Sequence, residues 1–366
     1  MKKLISPLVL ATMFSTAALG APFLAVGDGA ELFLTGKIGV RADDNIFLSK
    51  VATSDTIFDI VPGAEITFGK DAQLKGAFSV ADAISRYSSN SRLNTNLFST
   101  FLKANYDDGK MKMGFNGGYD EQNQNTVDNR GLTRRNVSTV GGNGESEISQ
   151  LTSVGAAVNY SHTEYKRTGY GTLDDVTIPV NLYYKMSPKT DASFGYQYRD
   201  FKTTIGRDSV DNFLNVGARG EFSPLLTGTV RVGYLTRKID KGGNVNMLGV
   251  DGQLNYEITP KSTLQFTASN APDTSPQGLQ QKNLAFGASA SIAIDEQWSV
   301  NAGANYRAID YGTRTDHYTE ETLGAAYVVN AYVKVVGAYA HRNNSSQLTG
   351  SQFTNNVFSL AVSGRY

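Results

Sequence analysis

From residue 21 onward the chain repeats one pattern, an alternation of apolar and polar residues over about ten positions that ends in a turn. Residues 248–258 show it clearly, and residues 176–186 and 284–294 repeat it. In residues 248–258 the apolar face carries Leu248, Val250, Leu254, Tyr256 and Ile258. The opposite face carries Gly249, Asp251, Gln253, Asn255 and Glu257. Because successive side chains of a strand point to opposite faces, this period predicts β-strands throughout.

The length of these alternating segments indicates the kind of sheet. A strand of a soluble protein averages about five to six residues, whereas a tilted membrane-crossing strand needs about 9–11. No apolar run after residue 21 approaches the about 20 residues of a transmembrane helix. The pattern therefore favours a transmembrane barrel, which turns its apolar face to lipid and its polar face to a wet interior.

Turn residues separate the predicted strands in two alternating classes. Short turns are expected near residues 69–71, 107–109, 141–144, 187–189, 223–224, 259–261, 295–297 and 330. Longer polar connections are expected near 43–54, 87–93, 121–130, 166–174, 203–209, 239–245, 271–281, 311–317 and 343–353. This asymmetry is typical of outer-membrane barrels, which have short periplasmic turns and longer external loops.

Counting the segments predicts an all-β, antiparallel up-and-down transmembrane barrel of about 18 strands. The first strand covers about 31–42 and the last about 354–366, which places both termini in the periplasm. The strand over 130–140 is predicted only because such barrels have an even number of strands. A barrel of sixteen strands is therefore the alternative. A secreted β-propeller has a repeat of similar length, but each of its blades carries four short strands rather than two long ones.

The N-terminal segment has the three parts of a secretory signal peptide. Lys2 and Lys3 form a positive start, residues 4–19 are mostly apolar, and Ala18 and Gly20 place small residues at a cleavage site. We predict a signal peptide over 1–20, followed by a single barrel domain over 21–366. A retained transmembrane helix is the alternative, and the segment is short for one.

Composition excludes several classes of function. The 366 residues carry no net charge and no Cys, so disulfides, thiolate metal sites and Cys nucleophiles are absent and nucleic-acid binding is not indicated. The three histidines, His162, His317 and His341, lie far apart, and no nucleophile motif precedes a helix. We predict that the protein is not an enzyme and uses no cofactor or metal ion.

The end of the chain is an alternating apolar strand with a terminal aromatic residue. Its outward positions would be Phe358, Leu360, Val362 and Tyr366. This arrangement resembles the signal that the barrel assembly machinery recognises, although Gly364 departs from the aromatic residue that is usual near that position. An ordinary last strand that ends in Tyr is the alternative.

The faces opposite the apolar ones carry many basic residues, which we expect to face the lumen. They include Lys37, Arg41, Lys103, Lys185, Arg199, Arg219, Arg231, Arg307 and Lys334. Acidic residues are fewer on the same predicted faces, and rings of Arg and Lys favour anions in pores. Lateral pairing of charges that merely fills the barrel is the alternative. The 121–149 region is the best candidate for an inward-folded constriction loop, with Arg130, Arg134 and Arg135 as its basic residues.

Three segments and the closing strand resemble a known family. The segments are RADDNIFL over 41–48, FGYQYRD over 194–200 and YAHRNNSS over 339–346. Together they are similar to outer-membrane β-barrel porins that are linked to exopolysaccharide production and export. The resemblance covers nearly all of the chain after residue 20, implies a barrel in the outer membrane, and supplies no catalytic residues.

These observations predict a porin-like outer-membrane channel for small hydrophilic, anionic solutes, because a barrel of about 18 strands is wide enough for an aqueous channel. The alternatives are an outer-membrane component of exopolysaccharide secretion and a structural or adhesive barrel. Expected partners are outer-membrane lipids, the barrel assembly machinery, and small solutes or polysaccharide. The sequence leaves the solute and the oligomeric state open.

Overall fold

The computed structural model describes residues 21–27, 29–129 and 131–366, so the predicted signal peptide lies outside the described residues. The described chain is almost entirely strand. The strands are β1 (Leu24–Val26), β2 (Ala30–Asp43), β3 (Asp55–Phe68), β4 (Leu74–Tyr87), β5 (Thr95–Asp107), β6 (Met111–Thr126), β7 (Gly131–Ser149), β8 (Thr152–Tyr165), β9 (Leu173–Ser187), β10 (Thr190–Thr203), β11 (Ser209–Ser223), β12 (Leu226–Ile239), β13 (Asn244–Thr259), β14 (Ser262–Thr274), β15 (Gln280–Ala293), β16 (Trp298–Asp310), β17 (Thr315–Val328), β18 (Val333–Ser345) and β19 (Phe353–Arg365). Among these residues no helix has the length and apolarity that a membrane span requires.

Eighteen of these strands, β2 to β19, form a closed antiparallel barrel in which each strand pairs with its neighbour in sequence. The barrel closes between β19 and β2 through nine paired positions, from Val357 opposite Asp43 to Arg365 opposite Thr35. Closure leaves no open sheet edge, which a membrane requires because lipid offers no hydrogen-bond partners. The prediction of an all-β barrel of about 18 strands is confirmed, and the sixteen-strand alternative is wrong.

The short strand β1 completes the closing seam. It pairs with Ala30–Leu32 of β2, just beyond the stretch of β2 that β19 covers. The backbone of Tyr366 exchanges two hydrogen bonds with Leu34, and the ring of Phe23 lies 6.1 Å from that of Tyr366. β1 therefore satisfies the part of the β2 edge that β19 is too short to reach.

The two faces of each strand have different surroundings. In β9, Val180, Leu182 and Tyr184 are 43%, 45% and 54% exposed, while the intervening Asn181 and Tyr183 are nearly buried. Ion pairs between strands that are not neighbours, such as Arg219 of β11 with Glu145 of β7, can form only inside the barrel. The exposed apolar face is therefore the outer one, as a lipid environment requires.

The eighteen barrel strands are 13 to 19 residues long, longer than the predicted crossing length. The longest, β7, overturns one predicted turn: residues 141–144 are not a turn but the middle of this strand. Gly142 pairs with Phe115 on one side and with Val158 on the other, so two neighbouring ladders hold the glycine-rich run extended. The actual turn follows at Gln150 and Leu151.

The other short turns use the predicted turn chemistry. The Asp108 carboxylate accepts hydrogen bonds from the backbone N–H groups of Lys110 and Met111, at 3.0 and 2.7 Å. These bonds favour the ionised form and hold the pKa of Asp108 below its ordinary value. Asp295 makes the same kind of bonds to Gln297 and Trp298. Asp side chains thus close the β5–β6 and β15–β16 turns.

Two strand glycines differ in the space beside them, which predicts different effects of the same substitution. A Cβ at Gly233 of β12 would come 2.0 Å from the backbone oxygen of Leu214, whereas nothing lies within 4 Å of a Cβ at Gly337 of β18. We expect Gly233→Ala to lower the free energy of unfolding by about 1–3 kcal/mol, because backbone must move, and Gly337→Ala to leave it nearly unchanged. Urea titration of the refolded protein measures both, and equal midpoints for the two variants would contradict this packing.

Candidate functional site

The barrel encloses a cavity of about 1280 Å³ that follows the wall formed by β9 to β16. Thr126 and Asp128 line it at the end that carries the longer connections. Lys189 and Glu221 line it at the end that carries the short turns. Because the lining extends between the two ends, the cavity forms a path along the barrel axis.

At the long-loop end, several connections fold inward across the barrel mouth. The β6–β7 connection contacts two other loops: the carbonyl of its Asn129 accepts hydrogen bonds from Tyr170 and Arg167 of the β8–β9 loop. The carbonyl of Asp128 accepts one from Gln277 of the β14–β15 loop. These bonds tie loops from opposite sides of the ring together and narrow the mouth.

One ion pair fixes the β6–β7 connection to the far wall. Arg307 of β16 donates two hydrogen bonds, at 2.8 and 2.9 Å, to the two carboxylate oxygens of Asp128. A bidentate arginine–carboxylate pair is among the strongest polar contacts in proteins. The pair holds the connection inside the barrel, and it also neutralises one of the basic residues predicted to face the lumen.

Apolar side chains inside the mouth support the same arrangement. Val127 of the β6–β7 connection and Leu48 of the β2–β3 loop are buried with Ile309, Tyr318 and Phe353. A second cluster joins Ile46 of the β2–β3 loop to Ile57 and Tyr87. Sequence analysis missed both clusters, because single apolar residues in a polar loop carry no periodic signal.

The predicted lumen residue Arg199 belongs to a buried ionic cluster. Arg199 of β10 contacts Asp175 at 2.8 Å and Asp273 at 3.1 Å, and Arg237 of β12 contacts Asp211 at 2.6 Å. Arg237 is 1% exposed and also donates to the carbonyl of Asp273 at 2.7 Å. The cluster joins β9 to β14 on the inner wall of the mouth.

Three further predicted lumen arginines are also paired with carboxylates. Arg41 donates to Asp59 at 2.6 Å, Arg219 contacts Glu145 at 2.6 Å and Asp191 at 2.9 Å, and Arg231 contacts Asp251 at 3.4 Å. The sequence-based expectation that acidic residues are few on these faces is therefore wrong. Asp128 and Asp273 were assigned to connections, and Asp175 and Glu145 lay just beyond a predicted connection and a predicted turn. In the structure Asp175, Asp273 and Glu145 lie on strands that run further than predicted, and Asp128 folds into the barrel.

The predicted lumen lysines differ from the arginines. Within the described part of the chain, Lys37, Lys103 and Lys185 form no ion pair with a carboxylate, and Lys103 and Lys185 are exposed. Lys103, Lys185 and Lys334 all lie near the short-turn ends of their strands. The charges of Lys103 and Lys185, which face no carboxylate partner, thus lie toward the short-turn end, away from the mouth.

The residues predicted for a constriction loop lie elsewhere. Arg134 and Arg135 belong to β7 rather than to a loop, and Arg130 lies outside the described residues. Arg134 is exposed and contacts Glu121 on the outer face, whereas Arg135 lines the cavity and donates to Gln122 and Gln124. The part of the 121–149 region that folds inward is the short connection with Asp128, which is acidic.

The last strand presents Phe358, Leu360, Val362 and Tyr366 with exposed fractions of 60%, 54%, 46% and 54%. They follow the outer face of β19, the face that meets lipid.

The three histidines lie on the outer face near the long-loop ends of separate strands. The Nδ1 atoms of His162, His317 and His341 lie 2.7, 2.8 and 2.8 Å from Asp174, Tyr306 and Asn356 in turn. Asp316, next to His317 in sequence, points inward and accepts a hydrogen bond from Ser346. No group of three or more His, Cys, Asp or Glu side chains in the described residues is placed to hold a metal ion.

Buried and more exposed ion pairs of the inner wall should differ in their contribution to the free energy of unfolding. Asp211→Asn leaves the buried Arg237 without its carboxylate, and we expect a loss of about 3 kcal/mol in the free energy of unfolding. Asp251→Asn removes the partner of the more exposed Arg231 and should cost below about 1 kcal/mol. Urea unfolding of both refolded variants tests this order, and a larger loss for Asp251→Asn would contradict it.

Comparisons with known proteins agree with this architecture. Residues 35–366 match the family model described as "Putative beta-barrel porin 2". OccK2 (OpdF) of Pseudomonas aeruginosa superposes with a TM-score of 0.51 at 7% identity, covering 92% of this chain and 97% of that one. OccAB3 of Acinetobacter baumannii gives 0.50 at 10% identity, covering 93% and 100%, and OccK11 (OpdR) of P. aeruginosa gives 0.50 at 9%, covering 94% and 99%.

At these identities the solved structures share the fold with this chain. No match to a curated protein sequence was found. The family model covers all but the first 34 residues, and the structure is a closed barrel with an apolar outer face and an axial cavity. The chain belongs to the β-barrel porin family that this model describes, and it is a porin-like channel of the outer membrane.

Proposed function

We propose that the protein is a passive diffusion channel for small hydrophilic solutes, with a mild preference for anions. The observation that carries the proposal is the cavity whose lining extends from Asp128 at the mouth to Lys189 at the short-turn end. Threonine, glutamine and serine side chains make up much of the wall between them, and such groups exchange hydrogen bonds with a passing hydrated solute.

The anion preference rests on the lysines rather than on the arginines. Arg41, Arg199, Arg219, Arg231 and Arg307 each face a carboxylate, so their charges largely cancel at the distance of a passing ion. Lys103 and Lys185 are exposed and face no carboxylate partner. Because most of the inward charge is paired, the preference is small.

The inward-folded mouth favours small solutes over a polymer chain. The ion pair between Asp128 and Arg307 and the apolar contacts of Val127 hold the β6–β7 connection across the lumen. Passage of an exopolysaccharide would require these contacts to open together. The secretion role that the family resemblance implies therefore remains the second candidate.

The placement of the ends supports two further parts of the proposal. The first barrel strand begins, and the last one ends, at the short-turn end, which we assign to the periplasm by the usual asymmetry of such barrels. The outer face of β19, with Phe358, Leu360, Val362 and Tyr366, is the surface that we propose for recognition by the assembly machinery.

The lysine assignment predicts a change in ion selectivity. We expect Lys103→Glu to lower the chloride-to-potassium permeability ratio by about eightfold. A charge ~7 Å from an ion in water acts with about 0.6 kcal/mol, which salt screening reduces to about 0.3 kcal/mol, and reversing the charge shifts the energies of the two ions in opposite directions, by about 1.2 kcal/mol in total. Lys238→Glu makes the same charge change on the outer face of β12 and is the control. Zero-current potentials in a salt gradient measure both ratios. An equal shift in the two variants would show that Lys103 does not act on the ion path, and a folded barrel that conducts no ions would refute the proposed function.

Two adjacent arginines on β7 provide an internal comparison. Arg135→Glu places a negative charge on the cavity wall, which Asp128 also lines, so we expect a shift of the zero-current potential toward cations. Arg134→Glu makes the same change one residue away on the outer face and should leave the potential unchanged. A shift of equal size in the Arg134 variant would contradict the assignment of the two faces.

A further inference from the structure

We propose that the inner wall around Phe101 is a stacking site for the pyranose ring of a sugar passing through the channel, an inference that rests on the proposed diffusion function. Phe101 lies at the middle of β5, the strand that runs from Thr95 to Asp107. Its partners in register are Ser79 and Gly118, which share its face. That face is the inner one, because Ser79 pairs on its other side with Glu65 of β3, and Glu65 binds Arg365 inside the barrel.

Phe101 is an exception on that wall because it leaves its ring in the aqueous interior. The side chain is 45% exposed, and no burial compensates for this contact with water. Phe98, three residues earlier on the same strand, has the same exposed fraction, but it faces lipid, where exposure is favourable. An apolar ring kept in a water-filled lumen indicates a role in contact with solute.

The neighbouring glycine allows the ring to lie against the wall. A Cβ at Gly118 would come 2.9 Å from Cδ2 of Phe101, which real side chains do not tolerate. With glycine there, the ring rests over the β6 backbone and leaves its other face open. Such a flat aromatic surface contacts the C–H face of a sugar ring.

Polar groups surround this surface. The inward positions next to Phe101 on its own and the neighbouring strands carry Ser99, Asn116, Asp120 and Thr139, with Ser79 directly beside it. These side chains supply donors and acceptors at the rim of the ring. A pyranose presents hydroxyl groups around an apolar face, so it matches both parts of the site. A planar aromatic solute would use the ring alone.

The site also faces the polar half of the lumen. Strand β14 lies nine positions further along the ring of eighteen, and its Gln265, Thr267 and Ser269 line the cavity. A sugar stacked on Phe101 would face these polar side chains across the lumen. This arrangement slows a sugar without trapping it, as a channel for solute passage requires.

The test is the block of ion current by maltotriose in planar bilayers, with Phe101→Ala, Phe101→Trp and the lipid-facing Phe98→Ala as variants. We expect maltotriose to interrupt the current of the parent protein, about tenfold more weakly in Phe101→Ala, and at least as strongly in Phe101→Trp. Phe98→Ala should behave as the parent. The ion conductance without sugar reports folding and an open pore in each variant.

The possible results separate the two proposals. Equal block by maltotriose in the parent and Phe101→Ala, or no block of a conducting parent, overturns the stacking site and leaves the diffusion function standing. A block that depends on Phe101 for benzoate but not for maltotriose also overturns the sugar assignment. A folded protein without ion conductance refutes the diffusion function itself.

Discussion

The structure depends on one constraint: each backbone N–H and C=O group at membrane depth must find a partner within the protein, because lipid offers none. A sheet meets this condition only by closing on itself, which it does here where β19 pairs with β2. The short β1 covers the rest of the β2 edge. Once the ring is closed, the alternation of side chains assigns every residue to lipid or to the lumen, and the inner chemistry follows from that assignment.

The second consequence of long, closed strands is electrostatic. Strands of 13 to 19 residues carry acidic residues into the barrel next to arginines, so that Arg199, Arg219 and Arg231 each meet a carboxylate. In a wall with reduced solvent access, an unpaired charge is costly and a bidentate pair is strong. Ion pairing therefore organises the mouth, where Arg307 binds Asp128. Exposed lysines such as Lys103 are left to determine the electrostatic potential in the lumen.

The sequence predicted what is periodic and missed what is not. The strands that begin at Ala30 and Phe353 agree with the prediction to within one residue, because period-2 alternation and turn residues are local signals. The turn predicted at Gly141–Gly144 was wrong, because pairing with the two flanking strands keeps this glycine-rich run extended despite its turn-forming residues. The inward positions of Arg41 and Lys103 were predicted from the alternation of side chains along a strand. The carboxylate partners of Arg41 and Arg307 could not be predicted, because Asp59 and Asp128 meet these arginines only once the strand register and the loop path are fixed.

The most direct test of the account is the single-channel current of the unmodified, refolded protein in a planar bilayer under a gradient of potassium chloride. We expect steady open steps and a zero-current potential displaced slightly toward that of chloride, because Arg41, Arg199, Arg219, Arg231 and Arg307 are paired with carboxylates whereas Lys103 and Lys185 are not. A folded barrel that stays silent, or one that prefers potassium, would contradict the account.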